Sequence, residues 1–223
     1  LRIPRLSKKR IEERIFMFRY CFLWMYSAYM FIKHIKLLQA LQTLDPRLSY
    51  ANQMEAVFDK PKAFLRGCIG LTGSTVSIHQ NGRSPAGPVL YVHPKLGLSE
   101  LAVLLGHLDK TASFFADPRA FRYPLLSGWL NKMAAVKKSA DKEASLEKVE
   151  EIVRKGQSFI LSEDDGLDYK SLSKRLGIPI VAVETAGTED MKKGKLFKRL
   201  RPADIDLTIY PAYVLTENKQ LRA

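Results

Sequence analysis

The sequence predicts an α/β fold, a mixed and mainly parallel sheet flanked by helices, preceded by an N-terminal membrane-associated helical hairpin. Three observations lead there. Short apolar runs at Val89–Val92, Gly156–Leu161 and Ile178–Val183 read as buried strands. Longer stretches with helical spacing separate them, as in βαβ units. Ahead of them, Ile15 to Ile32 is apolar or aromatic almost throughout, interrupted by Arg19 and Ser27. The chain divides accordingly into a hairpin, residues 1–45, and an α/β domain, residues 46–223.

The first fourteen residues are dense in charge, with Arg2, Arg5, Lys8, Lys9, Arg10 and Arg14 among them. As a helix, the 18 residues Ile15–Ile32 span about 27 Å, which is marginal for crossing a bilayer. No small-residue cleavage site follows, which argues against a signal peptide. A buried core helix remains an alternative. The aromatic density (Phe16, Phe18, Tyr20, Phe22, Trp24, Tyr26) and the flanking Lys33, His34 and Lys36 favour a hairpin with Ile35–Leu44, its cations reaching lipid phosphates. The chain opens on Leu1 instead of Met, as a trimmed chain does.

Asp45-Pro46 ends the hairpin, and Leu48–Arg66 reads as a helix broken near Lys60-Pro61. Ile69–Ile78 has strand character loosened by Gly70 and Gly73, and the Pro/Gly-rich stretch 80–88 is a turn. The strand Val89–Val92 ends on His93, and Ser99 is placed as N-cap of a helix to about Leu108. A strand at Thr111–Phe115 leads to a Pro-punctuated segment and Ser127-Gly128-Trp129. Lys142–Lys155 is an amphipathic helix with Leu146, Val149, Ile152 and Val153 as its stripe. A basic cluster at 192–201 reads as an interfacial helix, and Ile205–Tyr213 is the last strand before a frayed tail, 216–223.

Lys and Arg number 36 against 23 Asp and Glu, a net charge of +13 that favours an anionic partner. The aromatics cluster in the N-terminal run and do not interleave with the basic stretches, so no stacking platform for nucleic acid is visible. Cys21 and Cys68 have no metal or redox spacing and read as packed thiols. There is no zinc signature, Walker loop or G-x-G-x-x-G. A strand that ends on a histidine is where α/β folds place chemistry, though a histidine merely closing a strand is the plainer reading of His93 alone.

The order of blocks adds to that reading: "SPAGP", "VLYVH", "ASFFA", "YPLLSGWL", "AAVKK", "KGQSFILSEDDG" and "GIPIVAVETAG". It resembles the glycerolipid acyltransferase superfamily, typified by lysophosphatidic acid acyltransferases, over about residues 15–215. The resemblance implies a membrane-bound O-acyltransferase at the cytoplasmic face. It would take acyl groups from acyl-CoA or acyl carrier protein to a lysolipid hydroxyl on an anionic membrane surface, with no metal and no resident cofactor.

By the same resemblance His93 corresponds to the general base of the family's Asn-His-x4-Asp motif. The family's Asp falls on Leu98, so Glu100, the nearest acid, is assigned as the orienting carboxylate. Gly128 and Trp129 match the Pro-x-x-Gly-Trp block and shape a wall of the site. Lys138 or Lys137 stands where the family carries a phosphate-binding Arg, as a point charge without the bidentate fork. Glu163 matches the Glu of Phe-Pro-Glu-Gly-Thr-Arg, but Asp164 and Asp165 replace Gly and Thr, and the Arg is absent. Three adjacent acids there are expected to repel a phosphate, which points to a neutral or different acceptor in place of lysophosphatidate, or to a phosphate seated nearer Lys95, Arg119, Arg122 and Lys137-Lys138. A degenerate member that binds lipid without chemistry is the competing reading.

Overall fold

The computed structural model describes residues 21–30, 32–33, 49–189, 202–215 and 220–222. The second arm of the expected hairpin, the basic cluster at 192–201 and residues 216–219 lie outside them.

The sheet has nine strands in the order β1-β7-β6-β2-β5-β3-β4, with β8 paired to β6 and β9 to β8. These are β1 (Thr75–Gln80), β2 (Leu90–His93), β3 (Ala112–Ala116), β4 (Val136–Lys137), β5 (Ser158–Ser162), β6 (Ile180–Ala186), β7 (Asp204–Ile209), β8 (Tyr213–Leu215) and β9 (Gln220–Arg222). The central strand β2 lies parallel to both β5 and β6, and β3 and β4 extend the parallel array. β7 runs antiparallel to β6 and carries β1 parallel to itself, and β8 and β9 close a short antiparallel edge. The sheet is therefore mixed and mainly parallel, as expected.

Alternation along the central strands feeds two cores. Tyr91, Ile160 and Val181 face one side with Phe58, Val103, Leu104 and Trp129. Leu90, Phe159, Leu161 and Ile180 face the other with Val149, Val153 and Leu172. The first side is covered by α2 (Tyr50–Leu71), α3 (Leu98–His107) and α4 (Pro124–Lys132), and the second by α5 (Lys142–Arg154) and α6 (Tyr169–Leu176). Both faces of the parallel strands are thus covered, which is why they read as near-continuous apolar runs.

Several boundaries differ from expectation. α2 is not broken at Pro61 but continues through it and through Ile69 to Leu71. Val57 and Phe58 are buried before the proline and Ile69 after it, so packing outweighs propensity. Strand character at Ile69–Ile78 therefore begins only at Thr75, after Gly73 turns the chain at φ 80°. The N-cap of α3 is Gly97, not Ser99, which lies in the first turn. The chain at Ile205–Tyr213 is two strands, parted by Tyr210-Pro211, and 220–222 of the expected frayed tail form β9. Cys68 is a half-buried thiol pushed up to about 11 by burial, but Cys21 is exposed, so only one of the two is packed.

Ahead of α2, residues 21–30 and 32–33 are helical and form α1. Tyr26 stacks on Phe64 of α2 with ring centroids 5.8 Å apart. Phe22, Trp24, Met25, Tyr29 and Ile32 are all exposed. Among the described residues, no helix is long and apolar enough to cross a membrane.

Candidate active site

His93 closes β2 at the carboxyl edge of the parallel strands, opposite Ser162 of β5. Only 5% of its surface is exposed. Its Nε2 lies 3.0 Å from the Thr185 hydroxyl at the end of β6, and its Nδ1 accepts the Lys95 backbone N–H at 3.2 Å. An imidazole nitrogen that accepts from a backbone amide carries no proton, so the neutral ring donates from Nε2 to Thr185. Burial pushes the ring below the usual histidine range, against the carboxylates of Glu100 and Glu184, which pull it up. The imidazole is therefore uncharged at neutral pH.

Glu100 sits in the first turn of α3, where a carboxylate complements the helix dipole, and it is only 6% exposed. The fold thus brings it near enough to His93 for its charge to be felt. The loop between β2 and α3 is fixed from β5. Ser162 Oγ accepts the Leu96 N–H at 3.2 Å and the Asp164 N–H at 3.3 Å, and reaches the Pro94 carbonyl at 3.5 Å.

Beside this loop opens a groove of about 1100 Å³, whose wall includes Leu96, Leu101, Leu105, Phe114, Leu126 and Trp129. Its lining is mainly apolar, with Lys60, Arg119, Arg122, Lys138 and Asp117 as its charged members. A cleft of this size beside a buried titratable side chain is where α/β proteins hold ligands.

No protein-family model matches the sequence, and no curated protein matches it at a significant level. Among solved structures, the chain is similar to the crystal structure of the 1-acyl-sn-glycerophosphate (LPA) acyltransferase, PlsC, from Thermotoga maritima. The TM-score is 0.73 at 14% identity, over 88% of this chain and 84% of that one. The chain shares the fold of that structure. At this identity the likeness is one of architecture, and it agrees with the order of blocks in the sequence.

Within this fold the other expected contacts are distributed unevenly. Trp129 is buried in α4 and lines the groove; Gly128 is half-buried beside it. The Lys95 side chain is exposed, and it is the backbone of this residue that meets His93. Lys137 Nζ lies 5.0 Å from the Phe121 ring centroid, and Lys138 is 2.6 Å from Asp165. Both lysines are already engaged by the protein.

Two members of the acidic triplet have partners within the protein. Residues Glu163–Asp165 form a 3₁₀ turn with a capping box, in which Asp165 Oδ2 accepts the Ser162 N–H at 3.1 Å. Asp165 also neutralises Lys138, and Glu163 accepts the Tyr169 hydroxyl at 3.1 Å. Asp164 is left exposed to solvent.

Of the remaining histidines, His107 bonds the Val103 carbonyl inside α3, and exposed His79 faces Asp206 at 3.4 Å. Among the described residues, no group of three His, Cys, Asp or Glu is placed to hold a metal ion. Sequence reasoning missed Thr185, which reads only as part of a polar loop, and Ser162, whose Ser-x-x-Asp spacing is a recognisable capping signal.

Proposed function

We propose that the protein is a membrane-bound O-acyltransferase that moves a fatty acyl group from acyl-CoA or acyl carrier protein to the hydroxyl of a lysophospholipid or glycerolipid. The observation that carries this reading is a buried, uncharged His93 one short loop from a mainly apolar groove of about 1100 Å³. The groove suits an aliphatic chain, and the imidazole suits a hydroxyl acceptor.

In the proposed reaction His93 Nε2 takes the acceptor's hydroxyl proton while the oxygen attacks the thioester carbonyl. The new ester C–O bond forms, the C–S bond breaks, and the imidazolium returns its proton to the departing thiolate. This requires the proton of the resting ring on Nδ1, oriented by Glu100. The Lys95 N–H contact at 3.2 Å holds the other tautomer, so acceptor binding exchanges that contact for the carboxylate and displaces Thr185 from Nε2.

The exposed apolar face of α1, and exposed Leu98 and Tyr123 at the starts of α3 and α4, support attachment to a membrane surface. Attachment at the cytoplasmic leaflet gives access to a soluble thioester donor.

The test is transfer from a labelled long-chain acyl thioester to a panel of lysolipids in mixed micelles. His93→Ala is expected to lower turnover by about 10²–10⁴-fold; undiminished turnover excludes His93 as the base. A second reading, a lipid-binding protein without chemistry, is favoured by the occupation of both His93 ring nitrogens by the protein's own groups. Tight lysolipid binding with no turnover for any acceptor selects it.

A further inference from the structure

We propose that Asn81-Gly82 is a site of spontaneous covalent modification, at which the asparagine converts through a cyclic imide to aspartate and isoaspartate. The site needs no acyltransferase chemistry.

The pair opens the loop between β1 and β2. The conversion needs the carboxamide carbon as electrophile and the next residue's backbone nitrogen as nucleophile. Glycine in the second place lets that nitrogen approach, because it has no Cβ to collide with the carboxamide. The nitrogen of Gly82 attacks Cγ of Asn81, and a new C–N bond closes the ring. The carboxamide C–N bond breaks, and ammonia leaves with the Gly82 amide hydrogen. Water then opens the ring. Attack at the side-chain carbonyl gives aspartate. Attack at the main-chain carbonyl leaves the chain running through the side-chain carbon, as isoaspartate.

The structure separates this pair from the others of its kind. Asn81 and Gly82 are both exposed. Among the described residues, nothing accepts the Gly82 N–H or bonds the Asn81 carboxamide. Asn52 and Asn131 are also exposed, but they stand in α2 and α4. The Gln53 N–H after Asn52 goes to the Ser49 carbonyl at 3.0 Å. That of Lys132 belongs to the last turn of α4, where N–H groups bond four residues back. Asp165-Gly166 could close the same ring. Its carboxylate, however, is taken by the Ser162 N–H and by Lys138, and the Gly166 N–H by the Glu163 carbonyl at 3.2 Å.

The consequence lies away from His93. β1 and β7 run opposite to β2, so their ends reach the other edge of the sheet. There the Asn81 N–H closes the β1–β7 pairing on the Ile209 carbonyl at 2.9 Å. Gly82 sits against Pro211, so close that an added Cβ would stand 3.2 Å from the Pro211 Cα. Conversion adds a carboxylate next to Arg83, and the isoaspartyl form lengthens the main chain by one carbon between these two contacts.

The experiment ages the full chain in neutral detergent at neutral and at mildly alkaline pH, beside the Asn81→Gln variant and the native chain unfolded in urea. Peptide mass mapping reads a gain of one mass unit, and enzymatic methylation of isoaspartyl carboxylates identifies the isomer. Asn81 is exposed, so the variant is expected to fold, which thermal melting checks. In the folded chain the gain should appear on the peptide that holds Asn81. It should be faster at the higher pH, because the attacking nitrogen must lose its proton, and absent from that peptide in Asn81→Gln. The peptides holding Asn52, Asn131 and Asp165 should gain neither mass nor methyl groups. A folded chain that stays unchanged while the unfolded one converts at Asn81 overturns the proposal, because the folded loop then protects the pair. Conversion at Asn81 in neither state overturns it too, as does conversion at Asn52 or Asn131 that keeps pace with Asn81.

Discussion

The Thr185 hydroxyl lies 3.0 Å from His93 Nε2, joining residues 92 apart in sequence across neighbouring parallel strands. In the proposed mechanism it holds the position that an acceptor hydroxyl must take.

Thr185→Val removes that partner and leaves a buried ring nitrogen without one. It is expected to cost about 1–3 kcal/mol of stability, read by denaturant unfolding, while turnover is kept or raised, because the acceptor hydroxyl no longer has to displace the threonine from Nε2. Thr185→Ser should restore the native stability and turnover. A loss of turnover of about tenfold in the valine variant shows instead that Thr185 stays on the ring during the reaction.

The depressed basicity of His93 sets a pH signature. A base must be unprotonated, so the acid limb of kcat/KM should have its midpoint below the ordinary histidine value of about 6.5. Stability follows the same sign. The unfolded chain binds the proton more readily than the folded one, so this contribution is complete above about pH 6.5. It is lost as pH falls from there through the depressed folded value. His107 is also lowered by burial and acts in the same direction. Comparing native protein with His93→Gln in denaturant series at several pH values isolates the His93 share.

Glu100→Gln removes a charge that raises the His93 pKa, so the acid limb should move to still lower pH. Turnover at neutral pH should fall about ten- to hundredfold as the imidazolium loses its stabilising carboxylate, by analogy with carboxylates behind metal-binding histidines. The titration of His93 followed by NMR in both proteins reports the shift directly. An unmoved titration with reduced turnover assigns Glu100 a packing role only.

Gly187→Ala should be among the more damaging single changes. Gly187 has φ 82°, and a Cβ there would stand 2.1 Å from the Asp204 carbonyl oxygen, a backbone atom that cannot swing aside. A loss of roughly 2–4 kcal/mol is expected from strain and the forced displacement of β7, measured as a lowered denaturant midpoint. A midpoint within error of native shows that the turn after β6 yields freely.

The sheet was legible because strands covered on both faces leave uninterrupted apolar runs, and the loops between them carry prolines and glycines. α2 was harder, because Pro61 and Gly70 are breaking signals inside it, and the burial of Phe58 and Ile69 keeps the helix going. The placement of His93 followed from the end of its strand. Thr185 did not, because its contact depends on the β2–β6 pairing, which no local pattern encodes. The partners of the acidic triplet, Lys138 and Tyr169, were not legible because they come from other elements.

Helix α3 is anchored at the end remote from the site. Lys62 of α2 donates to the Leu108 and Asp109 carbonyls at 2.8 and 3.1 Å, and Arg66 Nε to the Gly106 carbonyl at 2.5 Å. Glu100 sits six residues back along α3, about 9 Å at 1.5 Å per residue. A rocking of the helix by about 10° about Gly106 would swing the carboxylate by roughly 1.6 Å over that arm. α1 also rests on α2, through Tyr26 and Phe64, so the helix that carries Glu100 and the N-terminal helix share one seat.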